Sequence, residues 1–185
     1  MPRDASTKLT YEDFLNFPDD GRRHELIDGE HYVSPSPNTR HQRLVARLFD
    51  AIYDHLKVRP GGEVFLAPFD IVISNFDVVE PDLIFVAADQ SDILTDKHVR
   101  GAPALVIEIL SPGTRKTDEL TKRRLYDRAG VQEYWIVDPE LDVVKVFGRD
   151  APGLARVAEL SREAGDTLTT PLLSGLAIFL PELFR

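Results

Sequence analysis

The stretch Ala104 to Thr114, ALVIEILSPGT, and the earlier run Val78 to Val86, VVEPDLIFV, are the two segments around which the rest of the chain is arranged. Each is an apolar run that carries an acidic side chain within it, Glu108 in the later run and Asp82 in the earlier one. Apolar, β-branched runs bounded by Pro or Gly predict buried strands, and a carboxylate in such a strand is costly unless a partner neutralises it. Two strands that bring Asp82 and Glu108 together therefore suggest a metal site.

The composition predicts a single domain that spans residues 1–185. A chain of 185 residues with 43% hydrophobic and 29% charged residues has the size and composition of one soluble globular domain. No segment approaches the ~18 apolar residues that a membrane span requires, and the N-terminus lacks the apolar region of a signal peptide. With no cysteine for disulfides or thiolate metal sites, the cytoplasm is the expected location.

The net charge of -9 argues against a protein that coats nucleic acid through bulk electrostatic attraction. It leaves room for a local basic surface, because the segment from Gly113 to Arg128 holds six basic residues and only three acidic ones. This segment follows the Glu108 strand directly. A solvated helix face and a nucleic-acid-binding groove are both compatible with such a run.

Local patterns in the first third of the chain predict a short helix, a hairpin and a long helix. Thr10 and Asp13 form a capping box for the short helix, and Asp28-Gly29 is typical of a tight turn between two strands. Apolar residues at helical spacing predict the long helix from about residue 39 to 57, with His41 on the same stripe. The stripe consists of Leu44, Val45, Leu48, Ile52 and Leu56.

The remaining elements complete an α/β fold with a mixed sheet. The run EVFLAPFDIVI predicts one strand, and a helix is expected to begin at Thr117 or Asp118 and to end at Gly130. EYWIVD and LDVVKVF predict a second hairpin around Pro139-Glu140. Helices that flank a central mixed sheet, with Asp82 and Glu108 on its central strands, are the architecture that this order favours.

Lys122 is the third candidate for the site. On a helix of 3.6 residues per turn it shares a face with Leu125, Tyr126 and Ala129, whereas Leu120 falls off this stripe. A lysine on the apolar face, one short connection after Glu108, is able to reach the carboxylate.

These residues stand in motifs that resemble the Uma2 family of restriction-endonuclease-like proteins, part of the PD-(D/E)XK nuclease superfamily. The matching pieces span roughly residues 10 to 150, and their order and spacing are more specific than the bare superfamily motif. They are ELIDGE at Glu25, the TRHQRL helix start, the Pro81-Asp82 pair, VIEILSPGTRKTD at Val106 and KRRLYDRAGVQEYWIVDP at Lys122.

The resemblance implies a restriction-endonuclease-like core and a Mg²⁺-dependent endonuclease that acts on DNA, with Mn²⁺ as an alternative ion. Asp82 corresponds to the aspartate of the PD element and Glu108 to the acidic residue of the (D/E)XK element, which makes both the implied metal ligands. Leu110 stands where the superfamily pattern has lysine, and Lys122 in the following helix is the residue that supplies the amine. A homodimer is expected because cleavage of both strands of a duplex calls for two symmetry-related sites.

The chemistry of phosphodiester hydrolysis agrees with these residue types. Mg²⁺ prefers hard oxygen ligands such as Asp82 and Glu108, and it stabilises the negative charge that develops on the phosphate. Lys122 is expected to orient or deprotonate the attacking water, or to offset charge on the phosphate. Glu25 and His41 are candidates for auxiliary roles, at the metal and at the edge of the site.

Each assignment also has a purely structural interpretation. Asp82 would then cap a turn, Glu108 would pair with a basic residue, and Lys122 would extend to solvent. Glu25 and His41 would be an ordinary hairpin glutamate and a capped helix-start histidine. A glycosidase would also use two carboxylates, but it explains neither the lysine nor the basic run. A catalytically silent member of the same fold that binds nucleic acid or a protein partner is the alternative function.

Overall fold

The computed structural model of the protein describes residues 8–34, 36–150 and 153–185. Part of the N-terminal stretch used for the signal-peptide prediction, residues 1–7, lies outside the described residues. The helices are α1 (Tyr11–Phe14), α2 (Thr39–Val58), α3 (Arg123–Ala129) and α4 (Leu180–Leu183), with a 3₁₀ turn at Ala88–Ile93 and a π-helical turn at Thr117–Lys122. The strands are β1 (Arg23–Ile27), β2 (Glu30–Ser34), β3 (Gly62–Leu66), β4 (Ile71–Ser74), β5 (Asp77–Val79), β6 (Leu83–Ala87), β7 (Val99–Arg100), β8 (Leu105–Ile109), β9 (Glu133–Asp138), β10 (Val143–Asp150), β11 (Gly153–Ser161), β12 (Thr167–Leu168) and β13 (Ile178–Phe179).

The strands form two larger sheets and one small one. The six-stranded sheet has the order β11-β10-β9-β8-β6-β3, and the five-stranded sheet has the order β2-β1-β5-β4-β7. The pairs β8/β9 and β4/β7 are parallel, whereas the other pairs are antiparallel. The predicted α/β class with a mixed sheet is therefore confirmed.

Strand β8 separates two apolar cores because its side chains alternate between the faces of the six-stranded sheet. Leu105, Ile107 and Ile109 pack against the α2 side, and Val106 packs against the α3 side. The alternation directs Glu108 to the α3 side. A strand covered on both faces reads as a continuous apolar run, which is why β8 was recognisable in the sequence.

Several local predictions agree with the structure. Thr10 and Asp13 form the capping box of α1, and the turn Asp28-Gly29 joins β1 to β2 with both residues at positive φ. The long helix α2 buries His41 together with most of its predicted stripe. β9 and β10 form the second hairpin.

Two predicted strands were wrong because each is divided between the two larger sheets. EVFLAPFDIVI separates at Pro68 into β3 and β4, and the run from Val78 to Val86 separates at Pro81 into β5 and β6. Proline has no N–H for the ladder and ends strand pairing at both points. Asp82 consequently lies just before β6, not within a central strand, whereas Glu108 does lie on the central strand β8.

None of the helices in the described ranges combines the length and the apolar composition that crossing a bilayer takes.

Asp138 at the end of β9 provides a test of the fold. Burial opposes its ionisation, but hydrogen bonds from Arg115 at 2.6 and 3.2 Å and from the N–H groups of Glu140 and Leu141 outweigh it and lower the pKa of Asp138. Because this pKa lies below the ordinary value of 3.8, the stabilisation is present above that pH and is lost as the pH falls through the folded-state pKa.

We expect Asp138→Asn to lower the free energy of unfolding by about 1.5–3 kcal/mol at neutral pH, the range for hydrogen bonds to charged groups. The difference from the wild type should shrink as the pH falls below 3.8 and through the lowered pKa of the native carboxylate, which then also takes up a proton. Urea denaturation across this pH range measures both effects. Asp54→Asn, in an exposed ion pair with Lys57, is the control and should stay near the wild type.

Candidate active site

Lys122 lies at the centre of a buried ionic cluster. Its Nζ is 2.8 Å from Oε1 of Glu25, 2.9 Å from Oε1 of Glu108 and 3.5 Å from Oδ1 of Asp118. All four side chains are 1–2% exposed. Tyr126 donates a hydrogen bond of 3.0 Å to the same oxygen of Glu108. The structure thus brings Lys122, Glu108 and Glu25 together, and the interpretation in which Lys122 extends to solvent does not apply.

The π-helical turn explains how two polar residues of one short segment become buried. Asp118 and Lys122 both lie on the inner face of this turn, while Leu120 between them is 45% exposed. A π turn inserts extra backbone into the helix and is frequent at functional sites. From Lys122 onward the α-helical period resumes, and Leu125 and Tyr126 are buried as expected.

The structure shows why Leu110, which stands where the superfamily pattern has a lysine, is apolar. Leu110 is 2% exposed and belongs to the apolar core on the α3 side. An ammonium at this position would enter an apolar environment. Lys122 brings an amine to Glu108 from the helix instead.

Asp82 forms the second half of the cluster and is tied directly to the Glu108 strand. Its Oδ2 accepts a hydrogen bond of 2.7 Å from the N–H of Ile109 and lies 3.1 Å from Nε2 of His41. Its Oδ1 accepts from Arg23 at 3.0 Å, and Nε of Arg23 is 2.8 Å from Glu80. The bond to Ile109 fixes Asp82 beside Glu108, although the two carboxylates come from segments separated by 26 residues in sequence.

A small cavity of about 30 Å³ lies between the two halves of the cluster. Asp82, Glu108, Asp118, Lys122 and His41 all line it. This volume is enough for a water molecule or a small ion, since one water needs roughly 10–15 Å³ by the same measure. A wider groove of about 420 Å³ also reaches Asp82 and His41 and opens the site to larger ligands.

The pKa shifts in the cluster have a common physical cause. Burial, with Asp118, Asp82 and Glu25 nearby, raises the pKa of Glu108 well above its ordinary value despite Lys122. Burial alone would lower the pKa of Lys122, but Glu108, Glu25 and Asp118 outweigh it and raise that pKa as well. Both groups are pushed toward holding a proton because negative charge is in excess in a poorly solvated site.

Asp82 differs from Glu108 because it has more hydrogen-bond donors. Burial acts to raise its pKa, but His41, Arg23 and the N–H of Ile109 together lower the pKa of Asp82. The two candidate ligands therefore differ in protonation tendency, with Asp82 the stronger acid.

The donor set suits a hard divalent cation by charge and by atom type. Four buried carboxylates face only two fixed cations, so with all four ionised the cluster has two negative charges in excess. The carboxylates are Glu25, Asp82, Glu108 and Asp118, and the cations are Arg23 and Lys122. Oδ1 of Asp118 is buried without a hydrogen-bond partner. Within the described residues, however, no group of three or more ligand side chains is arranged as a preformed metal site.

The cluster includes residues that were not identified from the sequence. Arg23 is two residues before Glu25 on β1 and therefore on the same face, so strand alternation would have indicated it. Asp118 is four residues before Lys122 and would have followed from helical spacing. Tyr126 was recognised only as an apolar-face residue, and nothing in the sequence indicates that its hydroxyl bonds to Glu108.

Comparisons with known proteins agree with this fold. The model of the Uma2 family, described as "Putative restriction endonuclease", matches residues 11–181. An uncharacterized protein of Synechocystis sp., slr1290, is 26% identical over 183 residues, which cover 96% of this chain and 92% of that protein. A crystal structure from Anabaena variabilis, described as "a putative nuclease belonging to DUF820", has a TM-score of 0.79 at 21% identity, covering 95% of this chain and 97% of the other. At this identity the likeness shows a common fold.

We expect Lys122→Met to lower the free energy of unfolding by about 3–5 kcal/mol, because Glu25 and Glu108 would stay buried without their cation. Urea denaturation measures the loss. Arg124→Met, at an exposed position of the same helix, is the control and should change stability by less than about 0.5 kcal/mol. Adding Glu108→Gln to Lys122→Met should recover part of the loss. Unchanged stability of the single variant would contradict the buried ion pairs.

Proposed function

The chain belongs to the Uma2 family, and on this premise we propose that it is a divalent-metal-dependent endonuclease that hydrolyses phosphodiester bonds of DNA. The observation that carries the proposal is the buried ammonium of Lys122, 2.9 Å from Glu108 and beside the cavity that Asp82 also lines. Such an arrangement costs stability, and proteins concentrate perturbed ionisable groups of this kind at reaction sites.

Asp82 and Glu108 would hold the cation, Mg²⁺ or Mn²⁺, because both carboxylates line the cavity. When bound, the cation would supply Lewis-acid stabilisation of the negative charge on the phosphate and lower the pKa of a water. Asp118, with its unpartnered oxygen, is a further candidate for contact with a metal-bound water. The excess of negative charge supports this role, because a divalent cation would balance it.

Lys122 acts in this proposal as a cation and hydrogen-bond donor, not as a base. Its raised pKa keeps it protonated at neutral pH, so it is suited to orienting the attacking water and to offsetting charge on the phosphate. Glu25 holds the ammonium in place from β1. His41 contacts Asp82 and lines both the cavity and the groove, which suits a residue that positions Asp82 at the edge of the substrate.

The wider groove is the proposed entry for the DNA backbone. Arg22 and Arg23 line it together with Asp19 and Glu80. With mixed charge in the groove and a net charge of -9 on the chain, DNA binding should depend strongly on the divalent cation. The proposal extends to a cytoplasmic homodimer, in which two symmetry-related sites cut the two strands of a duplex.

A second candidate function is a catalytically silent nuclease-fold module that binds nucleic acid or a protein partner. One observation favours it: both prospective metal ligands are already paired with internal cations, Asp82 with Arg23 and Glu108 with Lys122. Such pairs satisfy a buried carboxylate without any metal. The two functions make opposite predictions for metal binding.

We expect the wild type to bind Mg²⁺ or Mn²⁺ in calorimetric titration and to cleave plasmid DNA in its presence. Asp82→Asn and Glu108→Gln should abolish metal binding. Because these carboxylates supply the charge stabilisation of the transition state, each variant should also lower the cleavage rate at least about 100-fold.

Asp54→Asn, on the exposed face of α2, is the matched carboxylate control and should retain full activity. Thermal unfolding of each variant separates loss of activity from loss of fold. A wild type that binds DNA in a gel-shift assay but neither binds the cation nor cleaves would overturn the nuclease proposal in favour of the silent module.

A further inference from the structure

The hairpin β1/β2 carries a histidine pair on the face opposite the ionic cluster. Arg23 and Glu25 point toward the cluster, whereas His24 and Leu26 alternate to the other face of β1, where Leu26 packs against residues of α1. His31 of β2 lies opposite Leu26 in the strand register and is therefore diagonal to His24 on the same face. The pair thus bridges the two strands.

The two imidazoles face each other, and one nitrogen of each ring lies within hydrogen-bonding distance of the other ring. Nδ1 of His24 is 2.9 Å from Nε2 of His31, and the rings are nearly parallel at 14°. The ring of Phe17 packs on both, with centroids 4.2 Å from His31 and 5.9 Å from His24. This packing restricts both side chains, while His31 remains exposed enough for solvent to reach the pair.

Asp20 fixes the orientation of His24 from the other side of its ring. Oδ1 of Asp20 lies 2.9 Å from Nε2 of His24. The carboxylate accepts a hydrogen bond from the N–H at Nε2, so Nδ1 of the neutral ring keeps its lone pair. A carboxylate behind a histidine is the usual support of a histidine that binds a metal.

We propose that His24 and His31 form a two-histidine site for a divalent transition metal such as Zn²⁺ or Ni²⁺, supported by Asp20 and separate from the carboxylate cluster. Imidazole nitrogen suits these metals, whereas Mg²⁺ prefers the oxygens of the cluster. Two nitrogens bound to one tetrahedral zinc lie about 3.3 Å apart, so the facing nitrogens separate by about 0.4 Å and both rings turn until their lone pairs converge on the ion. Water completes the coordination on the exposed side.

Metal binding replaces the hydrogen bond between the rings without a net change of charge on the protein. The proton that His31 donates from Nε2 moves to its Nδ1 by exchange with solvent, and both facing nitrogens then coordinate the metal through their lone pairs. The bound ion links β1 to β2. Since β1 also carries Arg23 and Glu25, the ion would stabilise the strand that supports the ionic cluster, independently of whether that cluster is catalytic.

The test is a calorimetric titration of the untagged, full-length protein with Zn²⁺ and, separately, Ni²⁺. Excess Mg²⁺ is present to occupy the carboxylate cluster. We expect saturable binding of one ion per chain, at least about tenfold weaker in His24→Gln and in His31→Gln. His55→Gln, which changes a histidine on α2 outside the pair, is the matched control and should bind like the wild type.

A second measurement keeps the test independent of the fold of the variants. Zn²⁺ should raise the melting temperature of the wild type and of His55→Gln, but not that of His31→Gln, because binding to the native state stabilises it. Equal affinity in His31→Gln and the wild type, or no saturable binding in the wild type, would overturn the proposal. Neither result depends on cleavage of DNA.

Discussion

The burial of one ammonium group among carboxylates is the constraint on which the rest of the site depends. A lysine that is removed from water is costly unless several anions surround it, and Lys122 has Glu25, Glu108 and Asp118 within 3.5 Å. These anions come from the hairpin, from the central strand and from the π-helical turn. Satisfying one charge therefore requires three separate segments to meet, which couples the five-stranded sheet to the six-stranded one.

The fixed cations of the cluster do not balance the charge of its carboxylates, which is an arrangement that suits the binding of a further cation. Four buried carboxylates against two fixed cations leave negative charge that the protein itself does not balance, and the raised pKa values of Glu108 and Lys122 are its consequence. A purely structural core would be more stable with apolar residues of similar volume at these positions. The excess charge is instead collected around a small cavity that shares Arg23, His41 and Asp82 with a wider groove.

The hairpin β1/β2 has two chemically distinct faces because side chains alternate along a strand. Arg23 and Glu25 contribute to the ionic cluster, whereas His24 faces His31 and Asp20 on the outside. One hairpin thus contributes to a cluster of carboxylate groups on one face and carries two imidazole groups on the other. The ligand types select different metals, which allows the two faces to be tested separately.

The sequence alone identified Asp82, Glu108 and Lys122 as candidate site residues and predicted most of the elements that hold them. The apolar run around Glu108, the capping box at Thr10 and the Asp28-Gly29 turn are local signals, and local signals can be read from neighbouring residues. Only the tertiary structure decided that Pro68 and Pro81 send two apolar runs into different sheets, and that Asp82 meets Glu108 through the N–H of Ile109. It also decided that a π-helical turn buries Asp118 with Lys122, and that Arg23 reaches Asp82. The contacts of Asp82 with Ile109 and Arg23 join residues that are distant in the chain. Side-chain spacing places Asp118 and Lys122 on one helix face and Arg23 and Glu25 on one strand face, but it does not show which residues those faces meet.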